Sequence, residues 1–149
     1  MMKYTSENEI LKIIETFENG TIAREEWGHP EHLILAYHYS INNDFETALA
    51  KMRDGIFGLL RAFEVDLTKE MPYHETLTVF WMKTVFGFTK GKTGYSIETI
   101  SEMIKTFDKD YPARFYSREF LFSAKARSEF VEPDLAALTA QDSPQDKNQ

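Results

Sequence analysis

Apolar residues return every three or four positions through most of this chain, and no stretch alternates with period two over the length of a strand, which predicts an all-α fold. Ile10, Ile13, Ile14 and Phe17 keep the helical period behind Ser6, and Glu9 stands three positions after Ser6 as a capping box requires. A first helix is therefore expected over residues 7–18, with Gly20 as its stop. Pro30 suits the opening of a second helix over residues 30–41, because a first-turn N–H has no intrahelical partner to lose. His29 then sits at its N-cap or just before it, and His32, Leu33, Ala36 and Ser40 share its inward ridge. The clearest period runs through Phe45, Ala48, Leu49, Met52, Ile56, Leu59, Leu60 and Phe63 after an N-cap at Asp44. Gly55 and Gly58 interrupt that helix with poor helix formers, and both predict close approach of a neighbouring helix.

The stretch over residues 72–88, PYHETLTVFWMKTVFGF, is apolar over most of its circumference. One stripe holds Tyr73, Leu77, Phe80, Trp81, Val85 and Phe88, and a second beside it holds Val79, Met82 and Phe86. Such a helix is normally wrapped by others, so a bundle of five to seven helices around a central buried helix over 72–88 is expected. Ser96 caps a fifth helix whose Ile97, Ile100, Ile104 and Phe107 face inward. Residues 113–135 read as two short helices capped by Ser117 and Ser123. From Thr139 onward the chain has little to bury, so the expected organisation is one helical domain over 1–138 and a disordered tail over 139–149.

A chain of 149 residues with 42% hydrophobic and 14% aromatic content can bury a core without covalent staples. It contains no cysteine, which removes disulfides, iron–sulfur clusters and thiolate zinc sites from consideration. The net charge of −7 opposes nucleic acid and anionic membrane as partners. No segment reads as a secretory signal or a membrane span, so a cytoplasmic protein is the expectation.

The polar residues that stand out are His29 and His32 at the start of the second helix, and His74 and Glu75 in the first turn of the central one. Imidazoles three apart on a helix lie on adjacent turns of one face. With His74 and Glu75 brought opposite, they form a donor set for a divalent metal such as zinc, nickel, manganese or iron, and Glu25 or Glu26 can add a ligand. The spacing is not that of HExxH. The same groups can serve without metal as a general base and its orienting carboxylate, or as a buried network that only fixes packing. Adjacent helical residues point about 100° apart, so Glu75 should pair with a histidine of the other helix or with an arginine, not with His74.

Arg114, Arg118, Lys125 and Arg127 lie among Tyr111, Phe115, Tyr116 and Phe120 near the end of the chain, a composition that can hold the carboxylate or phosphate of a small ligand. Glu119, Glu129 and Glu132 are interspersed, and surface pairing accounts for most of those charges. Ser117 and Ser123 lack a GxSxG setting, and the glycines at 87, 91 and 94 do not make a phosphate loop.

Three stretches together resemble a family of small bacterial all-helical proteins with no established activity. They are W-x-H-x-x-H-L-x-x-A at residues 27–36, Y-H-E-T-x-T-x-F-W at 73–81, and R-F-Y-S-x-x-x-L-x-S-x-x-A-R at 114–127. The resemblance groups His29, His32, His74, Glu75, Arg114, Tyr116 and Arg127 into one candidate site without assigning it a reaction. Two functional readings follow. One is a polar pocket for a divalent metal or small anionic ligand, with Arg114, Tyr116 and Arg127 as anchors. The other is a non-enzymatic interaction or regulatory module in which the same groups form a structural network. Oligomeric state is not legible.

Overall fold

A computed structural model describes residues 3–136, so the tail expected over 139–149 lies outside the described residues. Those residues are helical and contain no strand. Seven α-helices follow in order: α1 (Glu7–Glu18), α2 (His29–Asn42), α3 (Phe45–Ala62), α4 (Glu75–Phe88), α5 (Ile97–Thr106), α6 (Arg118–Leu121) and α7 (Ala124–Ser128). Single 3₁₀ turns at Arg24–Glu26 and Tyr111–Arg114 precede α2 and α6.

Ser6 and Glu9 close the predicted capping box on α1, and Gly20 follows the helix with φ 75°, the left-handed conformation that glycine tolerates. α2 begins one residue earlier than Pro30 alone indicates. Gly28 is its N-cap, and the Glu31 side chain accepts from the Gly28 N–H at 3.0 Å. α4 begins later than expected, at Glu75, and Pro72 and Tyr73 stay outside it because His74 is the N-cap. The signal overlooked was the cap itself: an imidazole nitrogen accepting from the Leu77 N–H does the work usually given to Ser or Asp.

α4 packs against α2, α3 and α7, while α2 packs against α1, α3, α4 and α5. Phe80 and Val85 are fully buried and Trp81 is 5% exposed, as a central helix requires. Leu77 is only half-buried. α2 is at least as enclosed, with Leu33, Ile34, Leu35, Ala36 and Tyr37 all fully buried in succession. The α2–α4 pair is thus the axis of the bundle, and a ring cluster of Phe80, Trp81, Tyr111 and Phe115 extends it toward the C-terminal segment.

Of the two α3 glycines, Gly55 alone marks a close approach. A Cβ there would lie 2.5 Å from Cε2 of Phe17 on α1, whereas at Gly58 it would meet only the Arg61 guanidinium, at 3.7 Å.

The segment after α7 returns along the start of α4. Thr76 Oγ1 donates to the Glu129 carbonyl at 2.9 Å and accepts from the Val131 N–H at 3.1 Å. The Tyr116 hydroxyl donates to the Val131 carbonyl at 2.6 Å. Ser117 donates from its N–H and its hydroxyl to the Asp134 carboxylate, at 2.8 and 2.6 Å. These bonds belong to the packing of the C-terminal segment and fix the wall behind α4.

Candidate functional site

Three of the four histidines reach one cavity. It has a volume of about 450 Å³ and lies between the starts of α2 and α4 and the second half of α3. His29, His32 and His74 line it together with Trp27 and Trp81, the two tryptophans of the chain. Ile56, Leu60 and Phe63 contribute the α3 side, and Arg24 stands on its exposed rim.

The local sequence explains the arrangement. Glu31 closes the N-terminus of α2, which sets His29 in the first position and His32 one turn further along the same face. Glu31 is fully buried, and its carboxylate accepts from the hydroxyl of Tyr4 and pairs with the ammonium of Lys3. Burial works against its charged form, but the bonds from Lys3 and Tyr4 outweigh that and hold the carboxyl below its ordinary range. The only local signal of Glu31 is its place three residues after Gly28, and its side-chain partners Lys3 and Tyr4 stand at the start of the chain. Trp27 stacks on Phe17 at 4.9 Å and 20°, and His32 lies against Trp27 with ring centres 5.7 Å apart.

The three imidazoles are in different states. His74 uses both nitrogens. Nδ1 accepts from Leu77 N–H at 3.1 Å, so the proton resides on Nε2, which donates to the Leu121 carbonyl at 2.8 Å. Burial, with the Arg127 charge adding to it and the Leu121 carbonyl opposing, holds the ring below the usual histidine pKa and keeps it neutral. His29 donates from Nε2 to the Phe107 carbonyl at 2.7 Å and packs on Trp81 at 4.9 Å, which leaves Nδ1 without a partner among the described residues. His32 makes no side-chain hydrogen bond among the described residues, although its backbone N–H donates to the Gly28 carbonyl at 3.0 Å. Its ring is enclosed by protein yet keeps accessible surface, and that surface faces the cavity. Burial, reinforced by the neighbouring His29, pushes its pKa down to about 4.

The other grouped residues go elsewhere. Glu75 turns away from the cavity to α3, where Arg53 forks onto its two carboxylate oxygens and the Tyr73 hydroxyl donates at 2.6 Å. That is the 100° divergence expected of adjacent helical residues. Tyr116 is buried and occupied by Val131. Arg114 is exposed, lies over the Tyr111 ring at 5.1 Å and does not line the cavity. Arg127 is exposed and reaches the Met71 carbonyl at 3.3 Å, outside the cavity but close enough to His74 to influence its charge. Arg24, Trp27 and Trp81 line the cavity, whereas Glu75, Arg114, Tyr116 and Arg127 do not.

A metal has only His29 Nδ1 and the two nitrogens of His32 on offer in the cavity, since His74 and His29 Nε2 are committed to backbone groups. Among the described residues no group of three or more His, Asp or Glu side chains is placed to hold a metal ion. No helix of the described residues is long and apolar enough to cross a membrane. No protein-family model matches the chain, and neither a curated protein nor a solved structure matches it.

Proposed function

We propose that this protein binds a small organic molecule in the cavity between α2, α3 and α4. One observation carries the reading: His32 presents an imidazole without a hydrogen-bond partner to a cavity walled by both tryptophans. The ring keeps accessible surface there and has no protein partner, so a bound polar ligand or water can take its hydrogen bonds. The cavity is of the size usual for small-molecule sites, and its walls combine ring and aliphatic surface with the polar side chains of Arg24, His29, His32, Tyr73, His74 and Thr78.

Binding fits these groups better than acid–base catalysis. A general base works best with a pKa near the working pH, whereas His32 is pushed down to about 4 and stays neutral at pH 7. Nor does a carboxylate orient it, because Glu75 is engaged by Arg53 and Tyr73. The neutral ring instead offers one donor and one acceptor. The stretches around Trp27 and Tyr73, which carry two thirds of the family resemblance, supply most of this cavity.

The test is a fragment screen by ligand-observed NMR on the full chain and on a His32→Phe variant. The reading expects hits whose saturation-transfer signals weaken in the variant. A diverse library without hits, or hits indifferent to His32→Phe, would overturn it.

A further inference from the structure

Resting on the binding reading above, we infer that the ligand is an aryl carboxylate, its ring against the aromatic wall of the cavity and its anion at Arg24. The charge around the cavity points to an anion. The chain carries 24 acidic against 17 basic residues, yet no aspartate or glutamate lines this cavity. Its ionisable lining is Arg24, Tyr73 and the three histidines. Glu31, the carboxylate nearest in sequence to His29 and His32, is occupied by Lys3, Tyr4 and the Gly28 N–H. A cationic ligand would therefore find no counter-charge here and would meet a guanidinium.

Arg24 is the group suited to the anion. It stands in the 3₁₀ turn ahead of α2, is exposed, and lies over the Phe63 ring at 5.8 Å. It forms no ion pair among the described residues. Lying over Phe63, the guanidinium keeps its fork free to take a carboxylate through two parallel hydrogen bonds. Arg114 and Arg127 do not line the cavity, so the anchor falls to Arg24 alone.

The body of the ligand follows from the walls. Trp27, Phe63 and Tyr73 present half-buried rings with Trp81 more deeply set, and Ile56, Leu60 and Leu77 add aliphatic surface. Ring faces prefer offset or edge contacts with another aromatic ring, which add to the gain from burying it. A purely aliphatic acid would bury apolar area without those contacts. Inorganic phosphate would use Arg24 and leave the ring walls wet.

The experiment titrates the full chain with benzoate and hydrocinnamate, each beside its primary amide, and reads the intrinsic fluorescence of Trp27 and Trp81. The same titrations are run on R24Q, whose exposed position leaves the fold intact, as circular dichroism would verify. The acids should bind about tenfold more tightly than their amides, the effect of one charge-assisted pair. In R24Q that preference should shrink to about twofold or less. Equal binding of acid and amide, or a preference that survives R24Q, would overturn the inference while the binding reading stands. Absence of any response to the two acids would also overturn it, and the binding reading would then rest on the fragment screen and His32→Phe.

Discussion

The imidazole of His74 is bonded to the carbonyl of Leu121 at 2.8 Å, which ties the residue that opens α4 to the end of α6 across 47 positions of sequence. The same ring caps α4 through Nδ1 and Leu77, so a single side chain both starts a helix and docks the C-terminal segment on it. Neither nitrogen is left for chemistry. His74→Ala removes the cap, worth about 1 kcal/mol, and orphans a buried carbonyl at about 1–3 kcal/mol, for a total near 2–4 kcal/mol. His74→Asn keeps a capping oxygen and should recover roughly 1 kcal/mol of that loss. Urea denaturation midpoints of the two variants check this; identical midpoints would mean that the cap contributes nothing.

Gly55 and Gly58 look alike in sequence and should respond oppositely. A Cβ at Gly55 would lie 2.5 Å from the Phe17 ring, which is itself stacked on Trp27, so Gly55→Ala must displace both rings. Overpacking of that kind costs about 1–3 kcal/mol. At Gly58 the nearest atom is the mobile end of Arg61 at 3.7 Å, and alanine should gain about 0.5–1 kcal/mol from helix propensity. Thermal unfolding distinguishes the two, and the Trp27 emission should shift in Gly55→Ala alone.

The contrast between those glycines marks how far sequence reading extends. Periodicity located α1, α3 and α5 because each buries one stripe, and the caps at Ser6, Asp44, Ser96, Ser117 and Ser123 are local signals read within three residues. What was not legible depends on long-range meetings. Phe17 chooses between Gly55 and Gly58, Leu121 recruits His74, and Lys3 and Tyr4 surround Glu31. The candidate site divides in the same way. His29 and His32 share a face because helical geometry requires it, and His74 lines the same cavity from the start of α4. Glu75 lies outside the group because the arginine it pairs with is on α3, and nothing local to Arg24 shows that its guanidinium lies over the Phe63 ring at the cavity rim.

Glu31 is a fully buried carboxylate whose partners all stand at chain positions before it. Removing it with Glu31→Ala strands the Tyr4 hydroxyl and the Gly28 N–H, and breaking a buried charged network of this kind costs about 3 kcal/mol or more. Tyr4→Phe removes one hydrogen bond and should cost about 1–2 kcal/mol. Because Glu31 sets the start of α2, amide exchange at Gly28 and His29 should accelerate in Glu31→Ala well beyond the change in global stability. Exchange that merely follows the global loss would show that the network does not anchor this turn.

His32 makes stability depend on pH in a defined window. In the unfolded chain its imidazole titrates near the ordinary 6.5, whereas in the fold burial and His29 push it down to about 4. Between those values the unfolded state binds the proton that the folded state refuses, so stability must fall as pH falls. The contribution is complete above 6.5, declines through the window, and is gone below about 4; the difference amounts to roughly 3 kcal/mol. His74 and His38 are also held below their ordinary values and add to the same slope. His32→Phe should flatten the decline in denaturation midpoint between pH 6.5 and 4, and the imidazole C–H resonances of His32 should stay at their neutral positions down to pH 5. An anionic ligand seated at Arg24 would favour protonation of His32 and raise its pKa, so the ligand-bound protein should show a higher His32 midpoint than the free one. A ring that titrates at 6.5 in the free protein would mean that the cavity admits bulk water to His32, and the argument for an imidazole enclosed by protein would fail with it.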